Sequence, residues 1–167
     1  EDFKISYASR EDLGGGAVFT LSHVIDYLHW FFGKPKRILA ATGNLGNLGI
    51  NVEDVVECIF QFVNPSRIVS FHLDFIKRPG AHFLEILGTK GRIYLDFLKK
   101  TADLMPWDSE PIKIQLSSFK KNETYLEEMR YFIGCVKTGT QASPDLKQGK
   151  EVLEIILALK KSAQDNI

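Results

Sequence analysis

The chain has 167 residues, 44% of them hydrophobic, and its 21 basic side chains balance 21 acidic ones. That length builds about one domain with a real core, and the weak overall field argues against nucleic acid or an anionic membrane as the main partner. Cys58 and Cys135 stand far apart and fit neither a disulfide framework nor a metal-ligand spacing, so reduced thiols and a cytoplasmic chain are expected.

Residues 1–13 are polar and read as irregular. Gly14-Gly15-Gly16 then opens an apolar-periodic segment that closes at Gly33 and Pro35, the punctuation of a helix. From Ile38 the pattern turns toward strands, with β-branched and aromatic runs over 55–63, 67–76, 82–87 and 92–97. Asn64-Pro65, Pro79-Gly80 and Gly88-Thr89-Lys90-Gly91 separate them, and residues 112–116 read as one more strand. The tract Gly43-Asn44-Leu45-Gly46-Asn47-Leu48-Gly49 is an internal repeat without the dinucleotide-binding spacing. It reads as a flexible loop that could border a ligand.

The chain ends in helices. Residues 125–137 place Leu126, Met129, Ile133 and Val136 on one side. Ser143 as cap and Pro144 at the first helical position then start a final helix, whose core-facing stripe is Val152, Ile155, Ile156, Leu159 and Ala163. Consecutive strands with short turns predict a largely antiparallel, open sheet with helices packed on one face, an α+β class with no Rossmann domain. The opposite sheet face then needs cover from a second domain or a second subunit, as in a homodimer or homotetramer. No signal peptide and no apolar run of membrane-helix length is present. The first residue is Glu1 and not Met, so residues 1–167 are expected to be one domain of a longer protein.

The first helix carries the chemistry. At 100° per residue Val18, Leu21, Ile25, Leu28 and Phe32 share a narrow stripe, the expected buried face. His23 lies opposite, flanked by Gly16, Phe19, Thr20, Asp26, Tyr27 and Trp30. A histidine, a carboxylate, a hydroxyl and aromatic rings compose a pocket wall rather than a solvated face. The glycines at the head leave first-turn N–H groups unpaired and let a ligand approach the backbone, an arrangement that attracts anions or sugar oxygens. An interface histidine beside a tight opening turn would have the same composition.

The run Tyr7-Ala8-Ser9-Arg10-Glu11-Asp12-Leu13-Gly14-Gly15-Gly16-Ala17-Val18-Phe19-Thr20-Leu21-Ser22-His23-Val24-Ile25-Asp26-Tyr27-Leu28 resembles the start of the C-terminal domain in the glucose–fructose oxidoreductase/inositol dehydrogenase/MocA family. Within it, members of nucleotide-sugar and surface-polysaccharide pathways are the more similar. Residues 72–79, 84–91 and Lys161-Ser162-Ala163 agree in order. The resemblance implies an NAD- or NADP-dependent oxidoreductase whose cofactor is bound mainly by an N-terminal Rossmann domain outside this chain. That domain would also bring a lysine, and this one would supply the substrate side and the oligomer interface. It further implies that His23 faces the nicotinamide and the substrate carbinol and helps move a proton, a task suited to imidazole. Many relatives carry an Asp three or four residues before this histidine; here Thr20 stands there, a hydroxyl that can orient the ring but brings no charge. Asp26, one turn on, could partly take over.

Arg10 matches a recurrent arginine of the similar subgroup and could grip a phosphate or carboxylate; a solvated loop charge is the alternative. His72 and Asp74 alternate onto one strand face, with Arg78 at the strand's end, lining either the substrate cleft or a subunit contact. Gly15, Gly16, Asp26 and Tyr27 complete the expected substrate-binding set, and His23 with Thr20 the catalytic one. Asp54 reads as structural and Trp107 as part of a surface turn. His29 and His82 lack partners at ligand spacing, and His23 with Asp26 falls short of the three protein ligands of catalytic zinc, so no metal site is expected. The competing reading is a non-catalytic binding or oligomerisation module that keeps the fold.

Overall fold

The computed structural model describes residues 5–115 and 120–165. They group into two compact units, one formed by residues 5–76 with 144–165 and the other by the described part of 77–143.

In the first unit, short 3₁₀ turns at Tyr7–Ser9 and Glu11–Leu13 lead into the glycines and two helices, α1 (Ala17–Thr20) and α2 (Ser22–Phe32). The expected single helix is broken at Leu21, whose φ of −101° and ψ of 23° leave the helical region. Gly33 ends α2, its N–H donating to the His29 carbonyl at 2.7 Å. Strands β1 (Arg37–Gly43), β2 (Val55–Phe62) and β3 (Arg67–Asp74) form an antiparallel sheet in the order β1-β2-β3. β3 is two residues shorter than expected because the Asp74 carboxylate accepts the Ile76 N–H at 2.8 Å, turning the chain out of the sheet.

One face of this sheet is the core. Val56, Cys58, Phe60 and Phe62 alternate inward from β2 and meet Val18, Ile25 and Leu28 together with the last helix, α4 (Leu146–Asp165). Phe60, Ile25, Leu28, Ile155 and Leu159 are fully buried, each such side chain giving about 1.5–3 kcal/mol. Burial pushes the Cys58 thiol up to about 12, so it behaves as a small apolar group. The expected stripe of α4 is the observed one, with Val152, Ile155, Ile156 and Leu159 buried. Its start differs. Asp145, not Ser143, caps it: the Asp145 carboxylate accepts the Gln148 N–H at 2.9 Å and the Gln148 side chain accepts the Asp145 N–H at 2.9 Å, the reciprocal pair of a capping box. At the other end Ser162 donates to the Ile38 carbonyl and accepts the Ala40 N–H, both at 3.1 Å. This seals the open edge of β1.

The dipeptide Glu53-Asp54, at the head of β2, fastens these parts together. The Asp54 side chain is wholly buried and accepts the N–H groups of Leu45 and Gly46 at 2.7 and 2.8 Å. Its backbone N–H donates to the Gly43 carbonyl at 2.9 Å and its carbonyl accepts from Phe75 at 3.0 Å, linking the ends of β1 and β3. The structural role read from sequence for Asp54 holds, and the glycine-asparagine tract expected as a flexible loop is pinned at its centre. Glu53 reaches the opposite way. Its carbonyl accepts the Ala17 N–H at 2.9 Å and its carboxylate the Val18 N–H at 3.3 Å. Lys160 of α4 lies 3.4 Å from the same carboxylate and 5.0 Å from the centre of the Phe19 ring.

In the second unit β4 (Phe83–Gly88), β5 (Gly91–Asp96), β6 (Thr101–Pro106) and β7 (Ile112–Gln115) form an antiparallel meander. β6 has no counterpart in the sequence reading, and the last residue expected in β7, Leu116, lies outside the described residues. Trp107 follows β6 in an exposed bend, as expected. Helix α3 (Lys121–Thr138) is longer than predicted at both ends, and Leu126, Met129, Ile133 and Val136 are all exposed on it. The class is therefore α+β with antiparallel strands, as predicted, the strands dividing into two sheets. No helix among the described residues is long and apolar enough to cross a membrane.

Asp54→Ala takes the acceptor from the part-buried N–H groups of Leu45 and Gly46 and should cost about 1–3 kcal/mol. Glu53→Ala removes the contact at the head of α1 and should cost about 1–2 kcal/mol. Urea midpoints measured by circular dichroism check both, with Asp12→Ala, in an exposed ion pair, as the control that leaves the midpoint in place. Equal midpoints for all three variants would remove the fastening role.

Candidate functional site

The break at Leu21 divides what the helical wheel drew as one pocket wall. Two clefts result, both within the first unit.

The first is a groove of about 350 Å³ between α2 and α4, at the lower end of the ~300–1,000 Å³ usual for small-molecule sites. Helix α2 contributes Ser22, His23 and Asp26 to one side; α4 contributes Gly149, Val152, Leu153 and Ile156 to the other. His23 and Asp26 are both exposed, three residues apart on one helix face. One wall can exchange hydrogen bonds and a proton, and the other is apolar.

The second cleft, of about 310 Å³, lies by the glycines and is lined by Glu11, Gly14, Gly15, Phe19, Asn51, Val52, Glu53 and Lys160. Here the sequence expectation needs correction. The N–H groups at the head of α1 are not open to an anion, because Gly15 donates to the Arg10 carbonyl and Gly16 to that of Ala8, both at 2.8 Å. Ala17 and Val18 donate to Glu53. The attraction of the helix head for negative charge is met by the protein's own carboxylate. The glycines are likewise explained by packing. A Cβ at Gly15 would stand 2.6–2.7 Å from the carbonyl oxygens of Tyr7, Ala8 and Arg10, and one at Gly16, where φ is +100°, would collide with the Glu53 carboxylate.

Thr20 ends α1 with its hydroxyl buried and without a hydrogen-bond partner. It therefore does not orient the His23 ring, the second correction to the sequence reading. Tyr27 is half-buried, and burial raises its phenol above the usual range; it borders neither cleft. Arg10 is exposed and its guanidinium holds Asp12 through contacts of 2.6 and 3.1 Å, so its fork is engaged locally. That hydrogen bond lowers the Asp12 carboxyl and raises Arg10.

His72 and Asp74 do share a face of β3, with His72 Nε2 2.9 Å from the Asp74 carboxylate. Sequence reasoning missed the third member. Glu57, paired across from His72 in the β2–β3 register, stands 2.7 Å from Nδ1. The cluster lies on the sheet face opposite the core, alongside the exposed Leu39, Ile59 and Ile68. Arg78 belongs to the second unit, where it donates to the Lys77 carbonyl at 2.8 Å. At the far end of α2, His29 lies 3.3 Å from Glu151 and Lys34 2.5 Å from Glu154, tying α2 to α4. Among the described residues no group of three or more His, Cys, Asp or Glu side chains could hold a metal ion.

Glu53, Lys160, Glu57 and the α4 wall are thus additions to the residues read from sequence. A carboxylate at the head of β2 and a lysine on the last helix carry no local signal that they meet at α1. Only the strand register could have paired Glu57 with His72.

Several comparisons bear on this geometry. No curated protein matches the chain. The fold is shared with a levoglucosan dehydrogenase in complex with NADH and levoglucosan (TM-score 0.88, 18% identity, 99% of this chain and 53% of that one). It is also shared with the UDP-N-acetylglucosamine 3-dehydrogenase GnnA of Acidithiobacillus ferrooxidans (TM-score 0.76, 15% identity, 89% and 48%). GenD2 of gentamicin A biosynthesis, in complex with NAD, has it too (TM-score 0.76, 20% identity, 96% and 50%). The chain spans about half the length of these proteins. Residues 3–94, more than half of the sequence, match the GFO/IDH/MocA C-terminal domain, and the chain belongs to that family.

Proposed function

We propose that residues 1–167 serve as the substrate-binding and oligomerisation domain of a longer NAD(P)-dependent oxidoreductase acting on a sugar or nucleotide sugar. The observation that carries this reading is the groove in which His23 and Asp26 face the apolar wall of α4, in a chain of this family. The sugar class is supported by the levoglucosan and UDP-N-acetylglucosamine dehydrogenases that share the fold. The nicotinamide cofactor is supported by the NADH and NAD complexes among them.

The first-unit residues fit one side of a nicotinamide site and not the whole of it. The helix head is closed by Glu53 and the glycine-asparagine loop is engaged by Asp54, so neither offers a cradle for a pyrophosphate. The cofactor is then held mainly by an N-terminal Rossmann domain, and it supplies hydride acceptance or donation. His23 holds or moves the proton at the substrate carbinol oxygen, since imidazole both donates and accepts near neutral pH. Asp26, in the same groove, takes the role of the carboxylate that orients the ring or a substrate hydroxyl, in place of Thr20. A lysine of the Rossmann domain completes the proton path. The face of β1–β3 that bears Leu39, Ile59, Ile68 and the Glu57–His72–Asp74 cluster is covered by a second copy, as a homodimer or homotetramer. Free, buried Cys58 and Cys135 suit a reducing cytoplasm.

The orphaned Thr20 hydroxyl favours a second reading, a non-catalytic module that retains the fold. One experiment separates them. The full-length protein is assayed with NAD(P) and candidate sugars, and His23→Ala is compared with it. The catalytic reading expects a loss of about 10²–10⁴-fold in kcat/KM. Turnover by the wild type with a loss well under ~10-fold would strip His23 of acid–base work. No turnover by the wild type would favour the module.

A further inference from the structure

Helix α4 turns Gly149, Val152, Leu153 and Ile156 toward α2 at spacings of three, four and seven residues, one helical stripe. Three of these positions carry branched apolar side chains. The one nearest the start of the helix carries none.

Nothing in the backbone asks for a glycine there. Its φ lies outside the left-handed region and a Cβ at 149 would meet no heavy atom within 4 Å. Its N–H donates to the Asp145 carbonyl at 3.0 Å, the ordinary bond to the carbonyl four residues back. Glycine is among the poorest residues for a helix interior, so this position gives up helix stability without a steric or conformational return. What the missing side chain leaves is space in the groove beside His23 and Asp26. The two walls there differ in kind: hydroxyl, imidazole and carboxylate on α2, aliphatic carbon on α4. A saturated sugar ring has the matching two-sidedness, with a C–H face and a rim of hydroxyls.

We propose that Gly149 holds this groove open and admits a sugar ring, its C–H face on Leu153, the exposed apolar side chain of the α4 wall, and its hydroxyls toward His23 and Asp26. The inference rests on the sugar-oxidoreductase reading above for the identity of the ring, and on the groove alone for the role of position 149.

The test uses the full-length protein with Gly149→Ala and Gly149→Leu. Both replace glycine by a better helix former, so melting temperatures at or above wild type are expected and report intact folding. Diethyl pyrocarbonate is the probe of the groove, with the rate of carbethoxylation of His23 measured by mass spectrometry and taken as a ratio of variant to wild type. The leucine variant should protect His23 several-fold relative to wild type, and the alanine variant much less. With NAD+ and levoglucosan or UDP-N-acetylglucosamine as the probe of the ring, leucine should raise KM about tenfold or more at little-changed kcat. An unchanged rate of His23 carbethoxylation in the leucine variant overturns the proposal, as does protection accompanied by an unchanged KM. If the wild type turns over neither sugar, that reading fails for these substrates, and the carbethoxylation ratio by itself decides whether Gly149 keeps the groove open.

Discussion

Glu53 and Asp54 stand side by side at the head of β2, and their carboxylates reach in opposite directions. Asp54 gathers the loop after β1 and, through its backbone, the ends of β1 and β3. Glu53 meets the first N–H groups of α1 and the ammonium of Lys160 on α4. A loop, two strands and two helices thus depend on two consecutive residues. Buried carboxylates are tolerated only when their lone pairs are met by donors; the buried Asp54 carboxylate has two backbone N–H groups, and the partly buried Glu53 carboxylate has a backbone N–H and the Lys160 ammonium. The arrangement fixes the head of α1, and His23 follows in the first turn of α2.

The same knot closes the head of α1. A glycine-rich helix head commonly invites an anion, but Glu53 supplies that anion from within and the glycines make room for it and for backbone carbonyls. The chemically open surface is displaced to the next helix, where α2 and α4 leave a groove with one polar and one aliphatic wall. His29 with Glu151, and exposed Lys34 with Glu154, hold the far end of that helix pair. Lys34 keeps the Glu154 carboxyl below its ordinary range by hydrogen bond and charge. Lys34 and Glu154 lie toward solvent, and their contribution is to register more than to stability.

What could be read from sequence follows the range of the forces involved. Val55 to Phe62 announced a strand because alternation and β-branching are local, and Gly33 announced a stop for the same reason. The stripe of α4 was legible because it repeats over several turns. The break at Leu21 was not, since an apolar period continues through it, and the partner that holds the head of α1, Glu53, lies more than thirty residues away. β6 escaped notice because Thr101-Ala102-Asp103-Leu104-Met105-Pro106 has little β-branching and owes its form to pairing with β5 and β7. Ser143-Pro144 had the outline of a helix start, yet Asp145 and Gln148 could satisfy each other reciprocally and took the cap. Of the site residues, His23 with Asp26 and His72 with Asp74 were found together as their spacing suggested. Thr20 was not found beside the imidazole, and Glu57 became visible only through strand register.

The central claim is that the groove beside His23 is the place where substrate and nicotinamide meet. A crystal structure of the full-length protein with NADH and a bound sugar tests it most directly. The account predicts the sugar in the groove between α2 and α4, with the His23 ring within about 2.6–3.2 Å of the oxygen on the reacting carbon and the nicotinamide on the far side of that carbon. A sugar bound elsewhere, with His23 facing solvent or a neighbouring subunit, would contradict it.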